Sequence, residues 1–152
     1  MGECTVINLE GAFREMKPQI SVLTLGVDDL EKSMEFYQRL GWHTEGVIGK
    51  EFEHGPVVMF SLKGGLILAL YPRKDLAWDA KVPQAARSAT EFSIGHNVNS
   101  KSEVNDVMEE AAKAGAKIVK DAQPAFWGGY SGYFEDPDGH LWEAVWNPQI
   151  RV

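Results

Sequence analysis

Eight short segments of the chain read as strands and two longer ones as helices. Residues 20–27 form the first strand. Leu30, Met34, Tyr37 and Leu40 then recur at helical spacing. Asp28 or Asp29 stands where an N-cap belongs, Asp28-x-x-Glu31 fits a capping box, and Gly41 is placed to stop the helix. Residues 42–47, 57–62 and 66–71 follow as strands, with Gly64-Gly65 as the hairpin turn between the last two. Residues 72–89 carry prolines and charges without sustained periodicity and read as a linker, its one candidate element a short helix around 76–80.

The pattern then starts again. Residues 90–98 form a strand, Ser100-x-x-Glu103 is a second capping box, and Val104, Val107, Met108 and Ala111 make a helical stripe that Gly115 ends. Strands at 116–120, 132–135 and 141–146 complete it. Each half is therefore strand, helix, strand, strand, strand, and residues 22–27 line up with 93–98. A half of this size exposes one apolar sheet face and needs its partner to bury it. Two curved sheets side by side would leave a concave surface suited to a small ligand. The expected fold is α+β, two βαβββ modules at 18–72 and 90–148 forming a concave mixed-sheet cup. A linker covers 73–89, and an N-terminal extension at 1–17 reads as either a marginal helix or a frayed arm.

The stretch from Phe126 to Pro148 carries the most chemistry. Asp136-Pro137-Asp138-Gly139 is turn chemistry, since Pro137 presets φ and Gly139 accepts a positive one. Beyond it, Leu141, Glu143 and Val145 alternate with Trp142, Ala144 and Trp146, which puts a carboxylate on one face of a strand between apolar neighbours. Such a carboxylate needs a metal, a cation or a ligand as partner. Its alternative is satisfaction by neighbouring hydroxyls or by Arg73. Trp142 and Trp146, of opposite parity, are assigned to helix–sheet packing.

Composition narrows the class. With 152 residues and 44% hydrophobic positions the chain is long enough for one domain with a proper core. A net charge of −7 argues against a nucleic-acid groove. No apolar run is long enough to cross a bilayer. Cys4 is the single cysteine, so no internal disulfide forms, and with no signal-peptide pattern a cytoplasmic location is expected.

VDDLEKSMEFYQRLGW in the first half and FEDPDGHLWEAVWNP in the second resemble the vicinal oxygen chelate superfamily, the glyoxalase, bleomycin-resistance and extradiol-dioxygenase group. The likeness runs from about Pro18 to Pro148. It implies a glyoxalase-like protein that binds a small molecule in the cup, and a homodimer. In metal-dependent relatives, ligands stand on the first and last strands of each half, typically a pair of histidines with one or two glutamates. Carried onto this chain, those positions fall on Val22, Ala69, Ser93 and Glu143. Only Glu143 is a good ligand, so the standard metal-dependent glyoxalase I site is not expected. No cofactor is specified. If a divalent metal binds, Glu143 is its ligand, with His96 the next candidate should a bulge turn it inward.

Glu143 is the candidate acid–base residue. Thr24, Tyr71, Asn97 and Arg73 are candidate ligand-binding residues, the first three by strand parity and Arg73 as a cation for an anionic group. Trp127 and Tyr130, in a glycine-rich aromatic loop, are candidates to stack on a flat ligand. His54 is read as an acid–base residue or a solvated loop histidine, and His43 and His140 as structural or turn residues. Three readings stay open: an enzyme of the glyoxalase-like group, a metal-free binder of an aromatic or cationic compound in the manner of bleomycin-resistance proteins, and a domain with no small ligand.

Overall fold

The computed structural model describes residues 16–152 and, before them, the antiparallel pairing of two short strands, β1 (Val6–Ile7) with β2 (Phe13–Arg14). Cys4 lies outside the described residues, and the extension, read as a helix or an arm, carries this strand pair instead.

In the first half, β3 (Val22–Val27) leads into α1 (Leu30–Arg39), followed by β4 (Thr44–Ile48), β5 (Val57–Ser61) and β6 (Ile67–Pro72). The linker holds α2 (Arg73–Ala80). The second half repeats the order with β7 (Ser93–Val98), α3 (Lys101–Ala114), β8 (Lys117–Pro124), β9 (Tyr130–Glu135) and β10 (Leu141–Trp146). The sheets run β3-β6-β5-β4 and β7-β10-β9-β8, each with its first and last strands parallel and the remaining pairs antiparallel. Val22 pairs with Ile67 and Ser93 with Leu141, so the halves share one register. Ala69 and Glu143 are thus equivalent third residues of equivalent strands.

Asp29, rather than Asp28, caps α1 by accepting from the Lys32 N–H at 3.1 Å. Ser100 caps α3 by accepting from the Glu103 N–H, while the Glu103 carboxylate reaches back to the Asn99 N–H at 2.8 Å, one residue before the cap. Gly115 at φ +108° closes α3 in the left-handed conformation that glycine adopts without strain.

Both helices cover the same side of their sheets, and those two sides share one core. Leu25, Val27, Leu68, Leu70, Val58 and Phe60 supply the first half; Val104, Ala111, Phe134, Trp142 and Ala144 supply the second. An aromatic run crosses the boundary: Tyr37 stacks on Trp42 at 5.6 Å, Trp42 meets Trp142 edge-on at 5.8 Å, and Trp142 lies parallel to Phe134 at 6.0 Å. The sheets therefore sit with their helix-bearing sides inward, not side by side, and the outer face of each is directed away from the other.

A buried polar latch fixes this arrangement. The Tyr37 hydroxyl donates to Asp136 at 2.7 Å and accepts from the Trp142 indole N–H at 3.2 Å. Ser33 donates to Asp138, whose other oxygen accepts from the Asp28 N–H at 2.8 Å. Asp136 also accepts from the backbone N–H groups of Asp138 and His140, at 2.9 and 2.8 Å, and bonds the His140 ring at 2.7 Å. His140 is thus part of the turn, as its parity suggested. Burial first, then the charge of Asp136, pushes the Tyr37 hydroxyl pKa well above its ordinary value.

Removing either end of the latch leaves charged or polar groups buried without partners. Asp138→Ala should lower the unfolding free energy by about 2–4 kcal/mol and Tyr37→Phe by about 1.5–3 kcal/mol, read by urea denaturation. Losses under about 0.5 kcal/mol would show that the halves are held by apolar packing alone. An unfolded tyrosine ionises near pH 10, while folded Tyr37 keeps its proton to higher pH. Its contribution is therefore complete below about pH 10 and declines above it. Tyr37→Phe should reduce that alkaline decline.

Candidate functional site

The outer faces are read from the register. In the first half, Val22, Thr24 and Gly26 stand beside Ile67, Ala69 and Tyr71, with Val57 and Met59 on the next strand. In the second, Ser93, Gly95 and Asn97 stand beside Leu141, Glu143 and Val145, which pair in turn with Glu135, Tyr133 and Ser131. Apolar side chains are left uncovered on both faces: Val22 and Met59 are 44% and 42% exposed, Phe92 and Val119 48% and 49%.

Glu143 is half-buried in the middle of the second face. Tyr133 lies directly across from it on β9, on the same outer face. Burial and then the Glu143 charge raise the Tyr133 hydroxyl pKa, which keeps it a donor. On the other flank stands Gly95, where an added Cβ would meet only the Asn97 side-chain oxygen, at 3.7 Å. The carboxylate therefore has a tyrosine on one side and room on the other. Beside it runs an open groove lined by Phe92, Ser93, Val119, Lys120, Tyr133 and Leu141. Tyr133 and Lys120 escaped the sequence reading. The signal was there, since residues equidistant from a hairpin turn pair, and 133 and 143 lie five residues either side of Asp138.

Asn97 shares this face with Glu143. Thr24 and Tyr71 lie on the other outer face, and within one chain the two groups do not meet. Tyr71 donates to the His54 carbonyl at 2.6 Å, and burial followed by the charges of Asp79 and Asp75 raises its pKa. Arg73 folds over Gly26 with its guanidinium committed to Asp28 at 3.1 Å and to the Gly26 carbonyl at 3.1 Å. Arg87 is bound to Asp28 as well. These two arginines, Arg87 first, hold the Asp28 carboxyl pKa below its usual range. The cleft they line is therefore short of free cations, and Arg73 anchors α2 instead of offering its charge to an anionic ligand.

Tyr130 requires a correction. It pairs with Trp146 on the helix-bearing side and donates to Asn105 of α3 at 2.8 Å, away from Glu143. β9 begins at Tyr130, two residues before 132, and Tyr130 shares the strand parity of Phe134, which faces the core. Trp127 is 43% exposed and its ring lies tight against Gly129, where a Cβ would collide with it. His96 lies on the helix-bearing side near Trp42 and Trp142, where burial lowers its pKa. His43 is exposed beside Glu45 at 3.3 Å. His54 is not a solvated loop residue: its Nδ1 lies 2.8 Å from buried Asp75 and its ring stacks on Trp78 at 3.9 Å.

Two places group residue types that can ligate a metal. The four positions expected of a metal-dependent relative are Val22, Ala69, Ser93 and Glu143, and in the first half the register sets Val22 beside Ile67 and Ala69 beside Thr24, so that half supplies no carboxylate or imidazole there. A transition metal takes three or four protein ligands, so these residues do not fit one. Asp136, Asp138 and His140 place ligand atoms within 4.8 Å of one another. Their oxygens already accept the hydrogen bonds of the latch, which makes them a structural cluster.

The helix-bearing core, the paired βαβββ units and the outer-face carboxylate define a class. The chain belongs to the Glyoxalase/Bleomycin resistance protein/Dioxygenase superfamily, whose family model matches residues 19–144. It is 32% identical to a glyoxalase-related enzyme from Fulvimarina pelagi, with a TM-score of 0.74 over 89% of this chain and 92% of that one. A hypothetical protein from S. aureus gives 25% identity and a TM-score of 0.71 over 88% and 96%. The fosfomycin resistance protein FosX from Listeria monocytogenes, 24% identical with a TM-score of 0.64 over 87% and 95%, shares the fold. None of the curated proteins matches. No described helix is long and apolar enough to cross a membrane.

If Glu143 sets the behaviour of Tyr133, Glu143→Gln removes a negative charge and should move the Tyr133 pKa down towards its ordinary value. Ultraviolet absorbance titration of wild type and variant, with Tyr133→Phe to assign the signal, reads this shift. An unchanged titration would separate the two groups.

Proposed function

We propose that this protein is a glyoxalase-like member of its superfamily that binds a small molecule on the sheet face around Glu143, without the standard metal-ligand set. The observation that carries this reading is the setting of Glu143: a half-buried carboxylate at the fold's repeated site position, with Tyr133 across from it on one flank and open space over Gly95 on the other. Ionised, it accepts hydrogen bonds from a ligand or stabilises a cation. It also serves as a base for a ligand proton brought within reach. Phe92, Val119 and Leu141 give the ligand an apolar wall, and Lys120 a cation at its edge.

The binding-only reading, a metal-free protein that sequesters an aromatic or cationic compound, uses the same face. It is favoured by the apolar groove and by the chain's charge of −7. A homodimer would serve either reading. The outer faces of one chain point apart, so a second copy laid against them would turn two open faces into enclosed cups and would cover Val22, Met59, Phe92 and Val119.

Ligand-observed screening followed by amide chemical-shift mapping tests this. Ligands should perturb Gly95, Tyr133 and Glu143, and Glu143→Gln should weaken them at least about ten-fold, the loss of a charged hydrogen bond. In a completed cup one ligand perturbs Thr24 and Tyr71 together with these residues. Ligands that map elsewhere and ignore Glu143→Gln would remove the proposal.

A further inference from the structure

The first half lacks a carboxylate at the position equivalent to Glu143, yet one end of its outer face carries a different proton-handling group. His54 sits in the loop before β5, with its side chain one quarter exposed. Its Nδ1 is 2.8 Å from the Asp75 carboxylate. Asp75 is 4% exposed and lies in the first turn of α2, where the helix N-terminus favours a negative charge. The imidazole ring lies on Trp78 at 3.9 Å with 19° between the planes, and Tyr71 fastens the loop by donating to the His54 carbonyl. A carboxylate only accepts, so Nδ1 carries the proton and Nε2 is left as the exchanging atom. The charged group facing Nε2 is exposed Glu53 at 3.8 Å, and Asp75 faces Nδ1. Neither the repeat nor the latch needs this dyad.

We propose that His54 is an acid–base residue, with Asp75 as its positioning residue, that exchanges a proton at Nε2 with a flat conjugated ligand at the Trp78 end of the first half's outer face. This rests on reading the outer faces as ligand-binding surfaces. Trp78 is 60% exposed and Tyr71 and Val57 adjoin the outer face, which supplies the flat apolar surroundings such a ligand needs. An oriented base beside an apolar platform is a known route to proton abstraction.

Nitrobenzisoxazole is a suitable reagent, because its ring opening requires one base and no cofactor. Nε2 takes the carbon-bound ring proton, the C–H electron pair forms the nitrile, the N–O bond breaks, and its pair leaves on the phenolate oxygen. The imidazolium then returns the proton to water. The full chain should open this compound faster than an equal concentration of free imidazole. His54→Gln should lower the rate at least about ten-fold, and His43→Gln should not change it. Asp75→Asn should lower kcat and change the His54 tautomer in nitrogen–proton correlation spectra, and Asp75→Glu should restore both in part. Circular dichroism confirms that each variant is folded. Turnover lost in Glu143→Gln but not in His54→Gln would overturn this proposal while leaving the ligand-binding reading in place. Turnover no faster than imidazole, or a wild-type His54 protonated at Nε2 instead of Nδ1, would also overturn it.

Discussion

The structure depends on one buried contact between a turn and a helix. Asp136 and Asp138, nearly inaccessible to water, sit where isolated carboxylates would be costly. They are tolerated because Tyr37, Ser33 and the Asp28 N–H reach them from the other half. Around them Trp42, Trp142 and Phe134 fill the core. Polar partners have stricter geometry than apolar ones, so the latch determines how the halves meet and the aromatics contribute area. With the helix-bearing sides joined, the opposite faces are left uncovered.

Most of the fold was legible in the sequence because it rests on local signals. Alternation marked the eight strands, Ser100 and Gly115 bracketed α3, and the hairpin turn placed β10 correctly at Leu141–Trp146. The side of Glu143, Trp142 and Trp146 also followed from parity. What failed were contacts between distant segments. The DLxxSxxFY and DPDG motifs were read separately as a helix start and a turn, yet their side chains bond one another across about a hundred residues. Asp75 lay in a stretch without periodicity, so nothing nearby announced that it would hold His54. Tyr130 was misplaced by extending a loop over the first residues of β9.

The duplicated register also shows which equivalent positions differ between the halves. Equivalent strand positions carry Ala69 in one half and Glu143 in the other, and Val22 in one half and Ser93 in the other. None of these exchanges disturbs the core, because all four residues belong to outer faces. The helix-bearing sides hold the stability, and the outer faces are free to vary. Glu143 with Tyr133 marks the second half, and Tyr71 beside His54 and Asp75 the first.

The central claim is that Glu143 acts in a site without a complete metal-ligand set. Metal content and affinity of the purified, untagged protein, measured beside Glu143→Ala with added nickel, zinc, manganese and iron, test it most directly. The account expects no stoichiometric, tightly held divalent ion in either protein. About one ion per chain, lost in the variant, would contradict it and show that other residues join Glu143 as ligands.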